Sequence, residues 1–187
     1  MIPVIRLVQS MRYSLREMQG TQVSEFELIE SINQAAALLY SQLSEKFVNF
    51  GLKRMIIITG SNGQASLPAD FVRVHQVGMG DRQVAIPTTY QATIEGTYRI
   101  IGDTFYAPAG SYGLEYYYIP ARVKDLDDYL DVPLSMSPYI EKIALALYGN
   151  NLESAMAVVQ ACTQGLAARE HSHFENVGPV QVLGGKV

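Results

Sequence analysis

Residues 24–50, SEFELIESINQAAALLYSQLSEKFVNF, carry the longest helical pattern of the chain. Apolar side chains recur there every three or four positions, which places them on one stripe of a helix. Ser24 and Glu27 have the spacing of a capping box, and Gly51 follows where helices often end. The stretch therefore predicts one long helix that buries its stripe in a core. The stripe consists of Phe26, Ile29, Ile32 or Asn33, Ala36, Leu39, Leu43, Phe47 and Phe50.

Three further amphipathic patterns predict helices at the two ends of the chain. Residues 4–18 precede the long helix and are separated from it only by the turn at 20–22, so we expect a helical hairpin. Residues 137–149 and 152–170 form a second pair, divided by a Gly-Asn-Asn break. The two pairs predict a helical bundle around the long helix.

The middle of the chain, residues 53–120, consists of short β-prone runs between Gly, Pro, Asn and Asp. Tight turns at 62–63 and 102–103, and the lack of any crossover helix, predict an antiparallel sheet or small sandwich inserted between the helix pairs. The fold class is therefore α+β. The predicted strands are 53–59, 64–67, 71–77, 82–86, 98–101, 104–107 and 114–119.

Nine of the 12 tyrosines lie between Tyr98 and Tyr148, and three of them form a Tyr-Tyr-Tyr run on the last predicted strand. Neighbouring residues of a strand point to opposite faces, so at least one ring of the Tyr-Tyr-Tyr run should face outward or against a partner. Such rings suit protein interfaces, although they could equally just cover the sheet. The candidate sheet interface consists of Tyr112, Tyr116, Tyr117 and Tyr118.

The composition predicts one globular domain over residues 1–170, because a hydrophobic share of 48% suits a buried core. We expect a soluble, unexported chain that does not enter a membrane, since it shows neither a long apolar run nor a leader pattern. The single cysteine, Cys162, fits a reducing compartment. A net charge of -4 is not the charge of a strong nucleic-acid binder.

No pattern of catalytic or metal-binding residues stands out. The acidic segment 125–131 lacks the glycine and the distal glutamate of a calcium loop, so a solvated loop is expected. His171 and His173 lie on one short segment that does not fix a metal geometry. Cys162 lies on an apolar helix face, which predicts a buried thiol. We therefore expect a protein that is not an enzyme and binds neither cofactor nor metal.

Residues 171–187 contain glycine and proline breaks and predict an extended tail. Its alternating apolar residues suit a segment that orders on binding a partner. The candidate contact residues of the tail are His173, Phe174, Val177, Val180, Val182, Leu183 and Val187.

The order of these features resembles the head-to-tail adaptor, or connector, proteins of short-tailed phages. Each motif is short, and the similarity rests on their order from the first helix to Glu170. The break at 149–151 and the long tail depart from the family pattern. The matching motifs are an Asn-Ala helix centre at 33–37, Leu-Pro-x-Asp-Phe at 67–71, Tyr-x-Ile-x-Gly-Asp-Thr at 98–104, Leu-Glu-Tyr-Tyr-x-x-Pro at 114–120, Leu-Asp-Asp at 126–128 and an alanine-rich helix pair at 137–170.

The resemblance implies a virion structural protein of the head-tail junction, made in the host cytoplasm. Its copies would form a homo-dodecameric ring below the portal protein, extend the channel used in DNA ejection and attach tail nozzle or fibre proteins. Double-stranded DNA would pass through without sequence-specific binding. The tail would dock on the portal or a neighbouring adaptor subunit. The alternative is a non-catalytic protein-binding or chaperone-like module that uses the tyrosine-rich sheet.

Overall fold

The computed structural model describes residues 1–19, 23–46, 48, 50, 52–79, 83–88 and 96–175. These residues form a mixed α+β fold with four α-helices and a single-turn 3₁₀ helix at Leu134–Met136. The helices are α1 (Val4–Gln19), α2 (Glu25–Glu45), α3 (Ser137–Tyr148) and α4 (Leu152–Glu175).

The described strands form three sheets. Two sheets have four strands, in the orders β2-β9-β4-β5 and β3-β8-β7-β6, and the third consists of β1 and β10. Neighbouring strands are antiparallel except β6 and β7, which run parallel. The strands are β1 (Ile2–Pro3), β2 (Lys53–Thr59), β3 (Gln64–Ser66), β4 (Phe71–Met79), β5 (Gln83–Val84), β6 (Ile86–Pro87), β7 (Thr97–Ile101), β8 (Thr104–Tyr106), β9 (Gly110–Tyr118) and β10 (Tyr129–Leu130).

Helix α2 contacts α1, α3 and α4, and it also contacts β9. One continuous hydrophobic core therefore joins the helices to the sheets. The fully buried apolar residues of α2 follow the helical period that the sequence predicted. They are Leu28, Ile29, Ile32, Ala35, Ala36, Leu39, Tyr40 and Leu43.

The start and the end of the long helix differ from the sequence prediction. Ser24 occupies the N-cap position, but its side chain makes no capping hydrogen bond. Phe26 was expected on the buried stripe and is 75% exposed, because it lies off the face that α2 buries, which is centred on Ile32, Leu39 and Leu43. The helix ends at Glu45, not at residue 50, and Phe50 packs against the core from beyond it. Phe47 lies outside the described residues.

The C-terminal helix pair is divided where the sequence predicted. Asn150 has a positive φ of 54°, a conformation that ends α3 before α4 begins at Leu152. Helix α4 continues to Glu175, so the prediction that the extended tail starts at residue 171 is wrong. Residues 171–175 contain no glycine or proline that would stop the helix. Residues 176–187 lie outside the described part.

The predicted hairpin at 62–63 is wrong, although the turn itself forms. Strands β2 and β3 belong to different sheets, because all seven residues of β2 pair with β9 instead. Gly63 allows the chain to pass from the sheet of β2 to the sheet of β3. Its φ is +67°, and a Cβ there would lie 2.8 Å from the carbonyl oxygen of Ala107. Long-range pairing thus overrides the local turn signal.

The remaining strand predictions are confirmed in outline. The turn at 102–103 joins the antiparallel neighbours β7 and β8, as expected. The segment 82–86, predicted as one strand, is divided between two short ones, β5 and β6, and its first residue lies outside the described part. Strand β6 pairs parallel to β7, against the antiparallel expectation. The two-residue strands β1 and β10 were not predicted, since two residues carry no periodic pattern.

Asn33 connects the centre of α2 to the chain that follows β9. Its side-chain Nδ2 donates to the carbonyl oxygen of Val123 at 2.9 Å, and its Oδ1 accepts the Val123 N–H at 2.9 Å. The amide therefore satisfies both backbone groups of one residue inside the core, where an unpaired polar group is costly.

Replacing Asn33 with alanine should lower the free energy of unfolding by about 2–3 kcal/mol, because two buried backbone groups lose their partner. Asn33→Asp should also destabilise the chain, since a carboxylate cannot donate to Val123. Urea unfolding measures both effects, with the exposed neighbour Gln34→Ala as control. Equal stability of Asn33→Ala and Gln34→Ala would contradict this role.

Candidate interaction surfaces

Lys53, the first residue of β2, lies between two aspartates from distant parts of the chain. Its Nζ is 2.6 Å from an oxygen of Asp70, which immediately precedes β4. It is 2.5 Å from an oxygen of Asp131, which immediately follows β10. The three side chains are only 22–36% exposed, so water screens the ion pairs less than it would at an open surface.

Tyrosines enclose this ion pair. The Lys53 ammonium lies 4.2 Å from the centroid of the Tyr118 ring, and the Tyr118 hydroxyl donates to the carbonyl oxygen of Asp131 at 2.9 Å. The Tyr116 hydroxyl donates to Asp70 at 3.2 Å, and the Tyr40 ring from α2 packs on Tyr118 at 5.0 Å. We call this group the Lys53 cluster: Lys53, Asp70, Asp131, Tyr116, Tyr118 and Tyr40.

The lysine and the tyrosines of the cluster change protonation state only far from neutral pH. Burial alone lowers the pKa of Lys53, but the hydrogen bonds and charges of Asp131 and Asp70 outweigh it and raise that pKa. Burial, followed by the charge of Asp70, raises the pKa of Tyr116 to about 12. Burial likewise raises the pKa of Tyr40 and Tyr118. The lysine stays charged and the tyrosines stay neutral at pH 7, so none of these four groups is tuned for proton transfer there.

The expectation of an outward-facing tyrosine on β9 is wrong, because all four candidate rings are buried within the chain. The rings are covered by side chains that pack on them: Tyr40 of α2 on Tyr118, Phe105 of β8 on Tyr112, and side chains of β4 on Tyr117. Tyr117, on the face opposite the Lys53 cluster tyrosines, meets the His75 ring edge-on at 5.8 Å and the Arg73 guanidinium at 5.1 Å. The exposed fractions are 2% for Tyr112 and 4% each for Tyr116, Tyr117 and Tyr118.

The candidate tail residues divide between the end of α4 and the undescribed part of the chain. His173 and Phe174 lie in the last turn of α4. The other five, Val177, Val180, Val182, Leu183 and Val187, lie outside the described residues. A docking role for the tail stays a prediction.

The acidic segment is held by its own backbone and by the Lys53 cluster. Asp128 accepts the N–H groups of Lys124 and Asp125 at 2.7 and 3.1 Å, which lowers the pKa of this exposed carboxyl. Over the residues that the structure describes, no group of three or more His, Cys, Asp and Glu is placed to hold a metal ion. Cys162 is buried, as predicted, and no described helix is long and apolar enough to cross a bilayer.

Two uncovered sheet faces were missed by the sequence reasoning. On the first sheet, Ile56 and Ile58 of β2 are 70% and 71% exposed, beside a shallow groove of about 180 Å³ over Gly78 and Gly113. On the second sheet, Arg99 lies over the ring of Tyr106. The alternation within β2 could have revealed the first face, but the second depends on the register between β7 and β8.

Comparison with known proteins adds no assignment at this point. No protein-family model matches the chain, and no curated protein matches it. The functional interpretation therefore rests on the residues, their contacts and the order of the sequence motifs.

Replacing Lys53 with methionine should lower the free energy of unfolding by about 2 kcal/mol near neutral pH, because Asp70 and Asp131 are left half-buried without a cation. Urea unfolding near neutral pH measures this. Lys142→Met, at an exposed position of α3, is the matched control, and equal curves for the two variants would contradict the role of the cluster.

Proposed function

We propose that this chain is a head-to-tail adaptor of a short-tailed phage. It is a non-catalytic virion protein of the head-tail junction, and its copies form a dodecameric ring below the portal protein. The ring extends the channel for the double-stranded DNA, which passes without sequence-specific binding. Its outer side gives tail nozzle or fibre proteins their attachment site.

The observation that supports the proposal is the convergence of the adaptor-like motifs on two buried junctions. Asp70 of the Leu-Pro-x-Asp-Phe motif and the tyrosines of the Leu-Glu-Tyr-Tyr motif meet at Lys53. Asn33 of the helix centre holds Val123, which follows the second of these motifs. Motifs that are short and separate in sequence thus belong to the same contacts, as motifs of one ancestral fold would.

A scaffold role also agrees with the packing. Helix α2 contacts the three other helices, which supports a bundle around it as the rigid body of each subunit. The β-sheets join this body through one core rather than through a flexible linker. A ring under the pressure of packaged DNA needs subunits that hold their shape, and this arrangement suits that demand.

The alternative, a binding module that uses the tyrosine-rich sheet, loses its surface because the four rings are buried. An enzymatic function gains no support from the Lys53 cluster, where Lys53 and the tyrosines titrate far from pH 7. The adaptor proposal needs neither an exposed aromatic face nor a proton-transfer group.

Light scattering of the purified chain, alone and mixed with the portal protein of the same virus, tests the proposal. We expect a smaller species alone and a complex with twelve adaptor chains per portal ring in the mixture. A chain that ends at Glu175 is the matched variant: it should keep the thermal midpoint of the full chain but fail to attach, if residues 176–187 dock on the portal or on a neighbouring subunit.

The outcomes separate two claims. A full-length chain that ignores the portal contradicts the adaptor proposal. A shortened chain that attaches as well as the full one contradicts only the docking role of the tail, including its residues Val177 and Val180. A tail of the same composition in scrambled order serves as the control for length and charge.

A further inference from the structure

Arg99 differs from the ion-paired arginines of this fold in that it has no acidic partner among the described residues. Arg12, Arg54 and Arg122 each form an ion pair, with Glu25, Glu115 and Glu30 respectively. The Arg99 guanidinium instead lies over the Tyr106 ring, at 5.1 Å from its centroid. Its Nε is buried and has no hydrogen-bond acceptor.

The stacked position fixes the orientation of the guanidinium. Arg99 and Tyr106 are directly opposite each other in the β7–β8 register, and the Tyr106 ring lies beneath the guanidinium. A planar guanidinium that is held in place loses little freedom on binding, and its remaining donors match the two oxygens of a carboxylate. The site therefore favours a carboxylate-bearing partner.

Apolar side chains flank this charge on the same face of the second sheet. Ile101 lies two residues after Arg99 on β7 and is 50% exposed. Ile86 of β6 is 66% exposed and pairs with Thr97, two residues before Arg99. Arginine, tyrosine and exposed aliphatic residues together are typical of protein interfaces. We call this surface the Arg99 face: Ile86, Arg99, Ile101 and Tyr106.

The acidic segment carries the complementary features. The Asp128 carboxylate accepts hydrogen bonds from backbone N–H groups, and the Asp131 carboxylate forms an ion pair with Lys53. Asp125 and Asp127 are exposed, and their carboxylates have no ion-pair partner in the part of the chain described. Tyr129 follows at once and is 61% exposed. We call residues 125–129 the acidic loop.

We propose that the Arg99 face of one copy binds the acidic loop of a neighbouring copy, with the carboxylate of Asp127 on the guanidinium of Arg99 and the Tyr129 ring against Ile101. The Arg99 face and the acidic loop are separate surfaces of the chain, and repeating the contact in one direction from copy to copy makes it head-to-tail, which is the kind that closes into a ring. This inference rests on the proposed ring and adds the residues that join its subunits.

A charge-swap cycle tests the contact in the full-length chain. The measurement is the concentration of half-maximal assembly, by light scattering with and without the portal. Arg99→Glu and Asp127→Arg should each raise it by about tenfold or more, and the double variant should return it to within about threefold of the starting chain. Arg99→Lys should weaken assembly less, because it keeps the charge and loses the planar fork.

Two controls carry the same charge changes at exposed positions elsewhere. Lys142→Glu and Glu153→Arg should leave assembly unchanged, which separates this contact from an effect of net charge. Thermal midpoints check folding. If Arg99→Glu unfolds, Arg99→Gln provides the same test without placing a negative charge over Tyr106.

Each result decides the inference. Single variants that assemble like the controls overturn it and leave the proposed ring standing. Single variants that weaken assembly without rescue in the double variant show that Asp127 is not the partner of Arg99, and they overturn it as well. A starting chain that stays monomeric at every concentration, with and without the portal, overturns both the contact and the proposed function.

Discussion

The ion pair of Lys53 with Asp70 and Asp131 is the contact on which the rest of the structure depends. It joins the first residue of β2, the start of β4 and the end of β10, and the surrounding tyrosines bring in β9 and α2. Removing one charge would leave the others half-buried, which costs more than losing a surface ion pair. The cluster thus makes the sheets and the helices depend on one another.

Asn33 forms a second connection of the same kind, and together the two junctions hold the helices and the sheets in one arrangement. The Asn33 amide pairs with the N–H and the carbonyl group of Val123, as the backbone of a neighbouring β-strand would. Polar contacts of this type fix the position of α2 relative to the segment after β9. Burial of the apolar stripe of α2 supplies most of the free energy that favours folding of the helix onto the core.

The sequence predicted the helices well because the 3.6-residue period of Ile29, Leu39 and Leu43 is a local signal. It failed where distant contacts decide. The turn at Gly63 predicted a hairpin, but β9 pairs with β2 from far along the chain. The burial of Tyr117 depends on Arg73 and His75 of β4, which no pattern within β9 reveals. Neither the Lys53 cluster nor the Arg99 face was predicted, since each is assembled by strand register and loop packing.

Equilibrium unfolding in urea tests most directly the claim that the helices and the sheets form one body. The unfolding is monitored simultaneously by the circular dichroism of the helices and by the near-ultraviolet signal of the buried tyrosines. We expect coincident transitions with the same midpoint and slope, because the Lys53 cluster and Asn33 couple the two parts. Separate transitions, with the tyrosine signal lost before the helical one, would contradict it.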